Sequence, residues 1–325
     1  MSFFSFYIFA FLLNFIFTLA NFTPPARCGH TSVLVDRKLY ISGGIFFESS
    51  PVNLNDFFYF DVSQNFTMTA LPWNNLTFTG APQNAITSAC SGGNNNDLIF
   101  IFGGLNNVDE NSPFTSKFDI SNQYWTNVTS GENEPTKRDS IACAKFNNGS
   151  IAIFAGFNQH QIITNEFWIF NSLELTWSLS NASNAPQSFW GYCAITLPDE
   201  TILYIGGAIY EAFKSVPMNN NTTGPTPPGR RYFSAVLTSD KRIIIFGGKG
   251  DDESVLGDLW ILDAESYQWS AGNISNPNGI ALWMHTANLV DNYMIVAFGY
   301  ENYSPIYLLD VSQRDSYKWV TEFIP

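Results

Sequence analysis

The chain has 325 residues, of which 13% are charged and 16% aromatic, and its formal net charge is -13. That charged fraction is about half of the ~25% usual in a soluble domain, and so many rings point to packed sheets rather than long surface helices. The acidic balance excludes nucleic acid as a partner, because nucleic-acid binding needs a basic footprint.

Residues 1–20, MSFFSFYIFAFLLNFIFTLA, carry no charge and are almost wholly apolar. The run ends in Thr18-Leu19-Ala20, with a small residue where a signal peptidase cuts, which predicts a signal peptide and a secreted protein. It lacks a basic start and is nearly long enough to cross a bilayer. An uncleaved anchor, with the remainder as a membrane-anchored ectodomain, is therefore the alternative; only then is a membrane involved. Asn-x-Ser/Thr sequons at Asn65, Asn75, Asn127, Asn148, Asn181, Asn221 and Asn273 predict an N-glycosylated exterior protein. Further sequons start at Asn21, Asn220 and Asn302; Asn220 overlaps Asn221, and Pro305 follows Asn302 closely.

From residue 21 to 325 one pattern recurs: an apolar strand ending in paired glycines. It reads KLYISGG to Gly43-Gly44, NDLIFIFGG to Gly103-Gly104, TILYIGG to Gly206-Gly207 and RIIIFGG to Gly247-Gly248. Two degenerate copies, SIAIFAG and YMIVAFG, end at Gly156 and Gly299. The last glycines, at 44, 104, 156, 207, 248 and 299, are 60, 52, 51, 41 and 51 residues apart. A period near fifty indicates a propeller or an array. Each repeat opens with an apolar strand such as RCGHTSVLV (27–35). After the glycines come a variable loop, a third strand such as DFFYFDV (56–62) or DLWILD (258–263), and a Trp marking a fourth strand: Trp73, Trp125, Trp177, Trp269, Trp319. The fourth repeat departs from this plan. Only 22 residues separate Gly207 from Arg230; they hold no Trp and include VPMNNNTTGPTPPG.

The double glycine, the aromatic third strand, the spaced Trp and the opening Pro25-Ala26-Arg27-Cys28-Gly29-His30 resemble the kelch repeat. The resemblance covers nearly all of the chain after residue 20. It implies an all-β fold: a six-bladed kelch-type propeller of four-stranded antiparallel blades. The repeat begins with an opening strand and ends with a Trp strand, so ring closure need not borrow a strand across the termini, though a few N-terminal residues could still pair.

Alternating strand direction decides which loops share a face. The loop after the glycines and the segment before the next opening strand lie on one side. This side collects Arg27, Phe46, Phe47, Arg138, His160, Trp190, Tyr210, Arg230, Arg231, Trp283 and Tyr300. Arg with aromatics is the composition of interface hot spots and of sugar-stacking surfaces. The expected function is recognition of a protein or glycan ligand through this face; the alternative for each residue is packing inside the propeller. His30 and His285 hold matching places in opening strands, which suggests packing or a hydrogen bond near the axis. Asp251-Asp252-Glu253 reads as a solvated loop, or else as a calcium site.

Cys90, Cys143 and Cys193 lie in opening strands and Cys28 begins its own, which favours buried free thiols; a disulfide between neighbouring inner strands is the alternative. An enzymatic reading follows from another likeness. Some kelch-like propellers resemble copper radical oxidases such as galactose oxidase, which need two His ligands, Tyr ligands and a Cys-linked Tyr. Tyr192 and Cys193 are adjacent here, so a strand sends them to opposite faces and they cannot form that link. Three dispersed His also make a poor metal set. The expectation is a protein that is not an enzyme and needs no cofactor or metal.

Overall fold

A computed structural model of the protein describes residues 22–47, 50–105, 113–129, 133–158, 160, 162–181, 187–209, 214–218, 221–275, 279–300 and 306–325. The expected leader over 1–20 lies outside them, as do Tyr210 and the sequon at Asn302. Among the described residues no helix is long and apolar enough to cross a membrane.

The architecture is an all-β propeller. RIIIFGG shows how a repeat builds it. Arg242–Phe246, buried along its whole length, pairs antiparallel with Ser234–Leu237 on the axial side and Leu259–Asp263 on the outer side, and Gln268–Ala271 closes the sheet. Repeats one (Thr31–Val35, Lys38–Ser42, Phe57–Asp61, Trp73–Asn75), two (Ser88–Gly92, Leu98–Phe102, Thr115–Asp119, Tyr124–Val128) and three (Cys143–Lys145, Ser150–Phe154, Phe167–Asn171, Thr176–Ser180) follow the same order. So does repeat six (Thr286–Val290, Tyr293–Ala297, Ile306–Gln313, Ser316–Val320), with Ile274–Ser275 added parallel to its outer strand.

Five four-stranded blades form in this way, not the expected six. Among the described residues the fourth repeat holds its place in the ring with two strands, Cys193–Thr196 and Ile202–Ile205. The physical reason lies at Met218. In blades one, three and five the residue at this step begins the third strand: the amides of Gly43, Ala155 and Gly247 donate to the carbonyls of Asp56, Glu166 and Asp258 at 3.0, 3.1 and 3.3 Å. The Met218 carbonyl instead accepts from the Trp269 indole of the next blade at 2.9 Å, and Thr223 continues beside Gln268 of that blade. Closure borrows no blade strand, since blades one and six each complete four strands from their own repeats, and a separate short pairing joins the ends. Glu322–Phe323 pairs antiparallel with Phe66–Thr67 of blade one, and the Phe66 and Phe323 rings stack at 4.8 Å.

The core sits between blades. Trp177 packs on Phe102 and Phe114 of the preceding blade, Trp319 on Phe246, Trp125 on Phe57 and Trp73 on Phe298, which carries the same contact across the ring closure. The glycine pair has a backbone cause. At its first position φ is +67° for Gly247, but Ala155 and Phe298 adopt +52° and +55° there, inside the small left-handed region open to L-residues. At the second position φ is +99° for Gly248 and +122° for Gly299, beyond that region, so the degenerate copies keep only this glycine.

Cys90 and Cys143 form a disulfide between the inner strands of blades two and three, with Cα atoms 6.5 Å apart. This corrects the expectation of four free thiols. The two strands run side by side, which brings the pair inside the distance a disulfide needs. Cys28 and Cys193 are free.

Candidate binding face

The segment before each inner strand meets the residue just after the glycines. Bridges join Cys28 to Ile45, Ala85 to Leu105, Asp139 to Phe157, Trp190 to Ala208 and Arg231 to Lys249, and the Tyr300 amide donates to Trp283 at 3.1 Å. The next residue of each segment has positive φ: Gly29, Ile86, Ser140, Gly191, Tyr232 and Met284. Their backbones form a closed cycle around the axis. Gly29 donates to Met284 (2.8 Å), Met284 to Tyr232 (3.0 Å), Tyr232 to Gly191 (2.8 Å), Gly191 to Ser140 (2.9 Å), Ser140 to Ile86 (3.3 Å) and Ile86 to Gly29 (2.6 Å).

This cycle rims an axial cavity of about 230 Å³ walled by the inner strands. Ser140 Oγ and Tyr232 OH lie 2.8 Å apart at the rim, and Ser140 donates to Asp139 at 2.6 Å. Burial pushes the Asp139 carboxyl up to about 6, with the Ser140 bond opposing. Deeper in, His30 Nε2 meets Thr286 Oγ1 and His285 Nε2 meets Ser234 Oγ, both at 2.8 Å, so each histidine ties two neighbouring inner strands. Burial lowers the pKa of both, His285 to about 3, and both rings are neutral at pH 7.

Three of the arginines expected on the ligand face are internal. Arg27, Arg138 and Arg230 are at most 1% exposed. Each sends Nε to the carbonyl two residues back (Pro25, Thr136, Pro228) and Nη1 toward the carbonyl at the first glycine position (Gly43, Ala155, Gly247). Each guanidinium then pairs with the acid at the start of the third strand, Asp56, Glu166 or Asp258. A buried cation requires a partner and satisfied donors, and this clamp supplies both while joining three strands of one blade. These arginines hold the blade.

Arg231 differs. Its guanidinium lies 5.7 Å from the Trp190 ring and pairs with Glu253, which also pairs with Lys249. Lys249 Nζ stands 4.6 Å over Trp283. The acidic run thus serves these cations and nearby backbone: Asp251 accepts from the Ser215 amide and Asp252 from the Ser254 amide. Among the described residues no cluster of His, Cys, Asp or Glu could hold a metal ion.

The rings around these cations form a continuous band. Centroid distances run Phe157–Trp190 5.0 Å, Trp190–Tyr232 5.4 Å, Tyr232–Trp283 6.0 Å, Trp283–Tyr300 5.2 Å and Tyr300–Phe47 5.0 Å. The band crosses from blade three through the fourth repeat, five and six to blade one, beside the axial rim. Tyr300 (48%) and Phe47 (37%) open to solvent at its end; Val52 of the Phe47 hairpin, and Leu105, Ile162 and Val255 on other post-glycine loops, are exposed as well.

The structure therefore brings together Phe47, Trp190, Arg231, Trp283 and Tyr300. Phe46 alternates away from Phe47 on the hairpin Ile45–Phe47/Pro51–Asn53, and His160 is exposed in its loop. Phe157, Tyr232 and Lys249 were missed, although each directly follows a residue or glycine already placed on this side. Tyr192 and Cys193 point apart as expected: the Tyr192 hydroxyl donates to Phe154 and the Cys193 thiol to Phe233.

Similarity to known proteins agrees with this architecture. The family described as the KLHDC2/KLHL20/DRC7 Kelch-repeats domain matches residues 29–220 and 214–322. Kelch domain-containing protein 2 of Bos taurus is 26% identical over 288 residues, covering 85% of this chain and 61% of that protein. The leucine-zipper-like transcriptional regulator 1 homolog of Drosophila melanogaster is 24% identical over 280 residues, covering 77% of this chain and 27% of that protein. The chain thus spans less than two thirds of either relative. The solved structure of YjhT superposes with a TM-score of 0.68 at 13% identity, over 92% of this chain and 98% of YjhT.

Proposed function

The chain belongs to the KLHDC2/KLHL20/DRC7 Kelch-repeats domain family, and from that premise we propose that it is a binding module, not an enzyme, which holds a protein partner against the aromatic band. The observation that carries this reading is the run of six rings from Phe157 to Phe47, ending in exposed Tyr300 and Phe47 and flanked by Arg231 and Lys249. Rigid aromatics with desolvated cations form the high-energy centre of protein interfaces. A glycan is the second reading, since the half-exposed Tyr300 ring offers a stacking face.

We place the protein outside the cell, secreted and N-glycosylated. The Cys90–Cys143 disulfide suits an oxidising compartment. The seven described sequon asparagines are all exposed. Asn75 and Asn127 lie on outermost strands, Asn181 and Asn273 just beyond such strands, and Asn148 in a turn on the opposite face, so glycans there leave the band clear.

The test compares wild type with Phe47→Ala/Tyr300→Ala on a panel of extracellular proteins and a glycan array. Both rings are exposed, so the variant folds. The expected result is a protein ligand whose affinity falls at least tenfold; undiminished binding to every ligand overturns the assignment, and loss confined to glycans selects the second reading.

A further inference from the structure

We propose that the open edge of Ile202–Ile205 binds an extended peptide segment of a partner, about five residues long with large apolar side chains at alternate positions, which completes the fourth blade. This site is separate from the aromatic band and does not depend on it.

The second strand of every other blade is covered on both sides, and at least four of its five residues are buried. Among the described residues Ile202–Ile205 pairs only with Cys193–Thr196, and Ile202, Leu203 and Tyr204 remain part-exposed. The Leu197 amide donates to the Thr201 carbonyl, which sets the alternation of the antiparallel ladder. The backbone groups of Leu203 and Ile205 therefore face the inner strand, and those of Ile202 and Tyr204 face outward. In blade five the equivalent outward positions, Ile243 and Ile245, pair with Leu262 and Trp260 of the third strand.

Beside the open edge is a cavity of about 330 Å³, lined by Leu203, Tyr204, Met218, Leu262, Tyr267 and Trp269. It lies where the chain leaves the blade at Met218, and among the described residues no strand fills it. The five intact blades show what fits such a place: FFYFD, TSKFD, FWIFN, LWILD and the start of IYLLDVSQ, each antiparallel to its second strand. The chain's own nearby segments outside the described residues suit it poorly. Residues 182–186 are Ala-Ser-Asn-Ala-Pro, residues 210–213 are Tyr-Glu-Ala-Phe and residues 219–220 are two asparagines, none of them an alternating apolar run of five.

The shape of the opening selects a peptide over a second copy. The cavity beside the edge is walled on its far side by Leu262, Tyr267 and Trp269 of blade five, with Asn221 and Thr222 also lining it, so the edge faces a confined space rather than an open surface. Packed sheets are spaced about 10 Å apart, which admits a strand but not the closed surface of another propeller. Main-chain pairing supplies affinity and alternate side-chain pockets supply selectivity, as in strand addition generally.

The probe is a fluorescein-labelled synthetic peptide copying residues 258–263 with flanking lysines, set against the same peptide N-methylated at alternate residues. Binding is read by anisotropy and by hydrogen exchange of the Ile202 and Tyr204 amides. The expected result is saturable binding that N-methylation weakens at least tenfold, with those two amides slowing at least tenfold when the peptide is bound. In the free protein they exchange far faster than Ile243 and Ile245. Absent binding, equal affinity of the N-methylated peptide, or free-state protection matching Ile243 and Ile245 overturns the proposal. A dimer in sedimentation that the peptide dissociates assigns the edge to a second copy and overturns it equally.

Discussion

The amide of Gly29 donates to the carbonyl of Met284 at 2.8 Å, joining residues 255 positions apart and completing the cycle of main-chain bonds around the axis. Every link uses a residue with positive φ, which turns its N–H toward one neighbour and its carbonyl toward the other. The inner strands hang from this cycle, and the histidines one step further along lock adjacent strands.

Stability should fall in acid through those histidines. His30 and His285 have folded pKa values below their ordinary 6.5. The unfolded chain then binds more protons at acid pH, so the stability they contribute is complete above about pH 6.5 and declines as pH falls below it, for His285 down to about 3, by up to about 1.4 kcal/mol per pH unit for each histidine. Urea melts from pH 7 to 4 should show this slope, and His30→Gln/His285→Gln should flatten it. An unchanged slope in the variant would rule the histidines out. Asp139, with its carboxyl raised to about 6, acts in the opposite sense, losing stability as pH rises from about 4 to about 6.

Neighbouring arginines should separate by role. Arg230→Ala removes a buried cation bound to Asp258 and Gly247 and should cost about 3 kcal/mol of unfolding free energy. Arg231→Ala should cost less stability, since its partner Glu253 is largely exposed, but should weaken partner binding several-fold. Chemical denaturation and a binding isotherm on each variant measure both. Equal stability losses, with equal binding losses, would contradict the division.

Trp177→Ala should destabilise by about 3–5 kcal/mol. The ring is 6% exposed, touches Phe102, Phe114 and Phe170, and donates its indole N–H to Thr115. A loss under 1 kcal/mol in urea would show that the Trp is not the wedge between blades two and three.

Under non-reducing denaturation the protein should titrate two thiols, because two of four cysteines are joined. Reduction, or Cys90→Ser/Cys143→Ser, should lower stability by about 2–4 kcal/mol. Four titratable thiols in protein recovered from an oxidising compartment would refute the bridge.

The repeat made the architecture readable, since a fixed strand-glycine pattern reports backbone demands that do not change from blade to blade. The fourth repeat was visible as an irregularity, yet counted as a blade, because nothing in VPMNNNTTGPTPPG says that the Met218 carbonyl turns to the next blade's Trp269. The binding face was legible as a side of the ring but not residue by residue. Arg230 and Arg231 are adjacent and chemically identical in the sequence; folding gives Arg230 the acid Asp258 within its own blade and sets the likewise buried Arg231 beside Trp190 and the exposed Glu253. The disulfide was likewise hidden, since sequence spacing does not report which inner strands stand side by side.

Main-chain bonds link every position of the axial rim, and the Ser140–Tyr232 side-chain contact only adds to them, so the side chains carry little of the duty of closure. Replacing Ile86, Ser140, Tyr232 or Met284 alters the size and polarity of the opening while the hydrogen-bonded cycle beneath it persists. The scaffold thereby keeps its geometry apart from its chemistry, leaving those positions as adjustable points for re-engineering what the mouth admits.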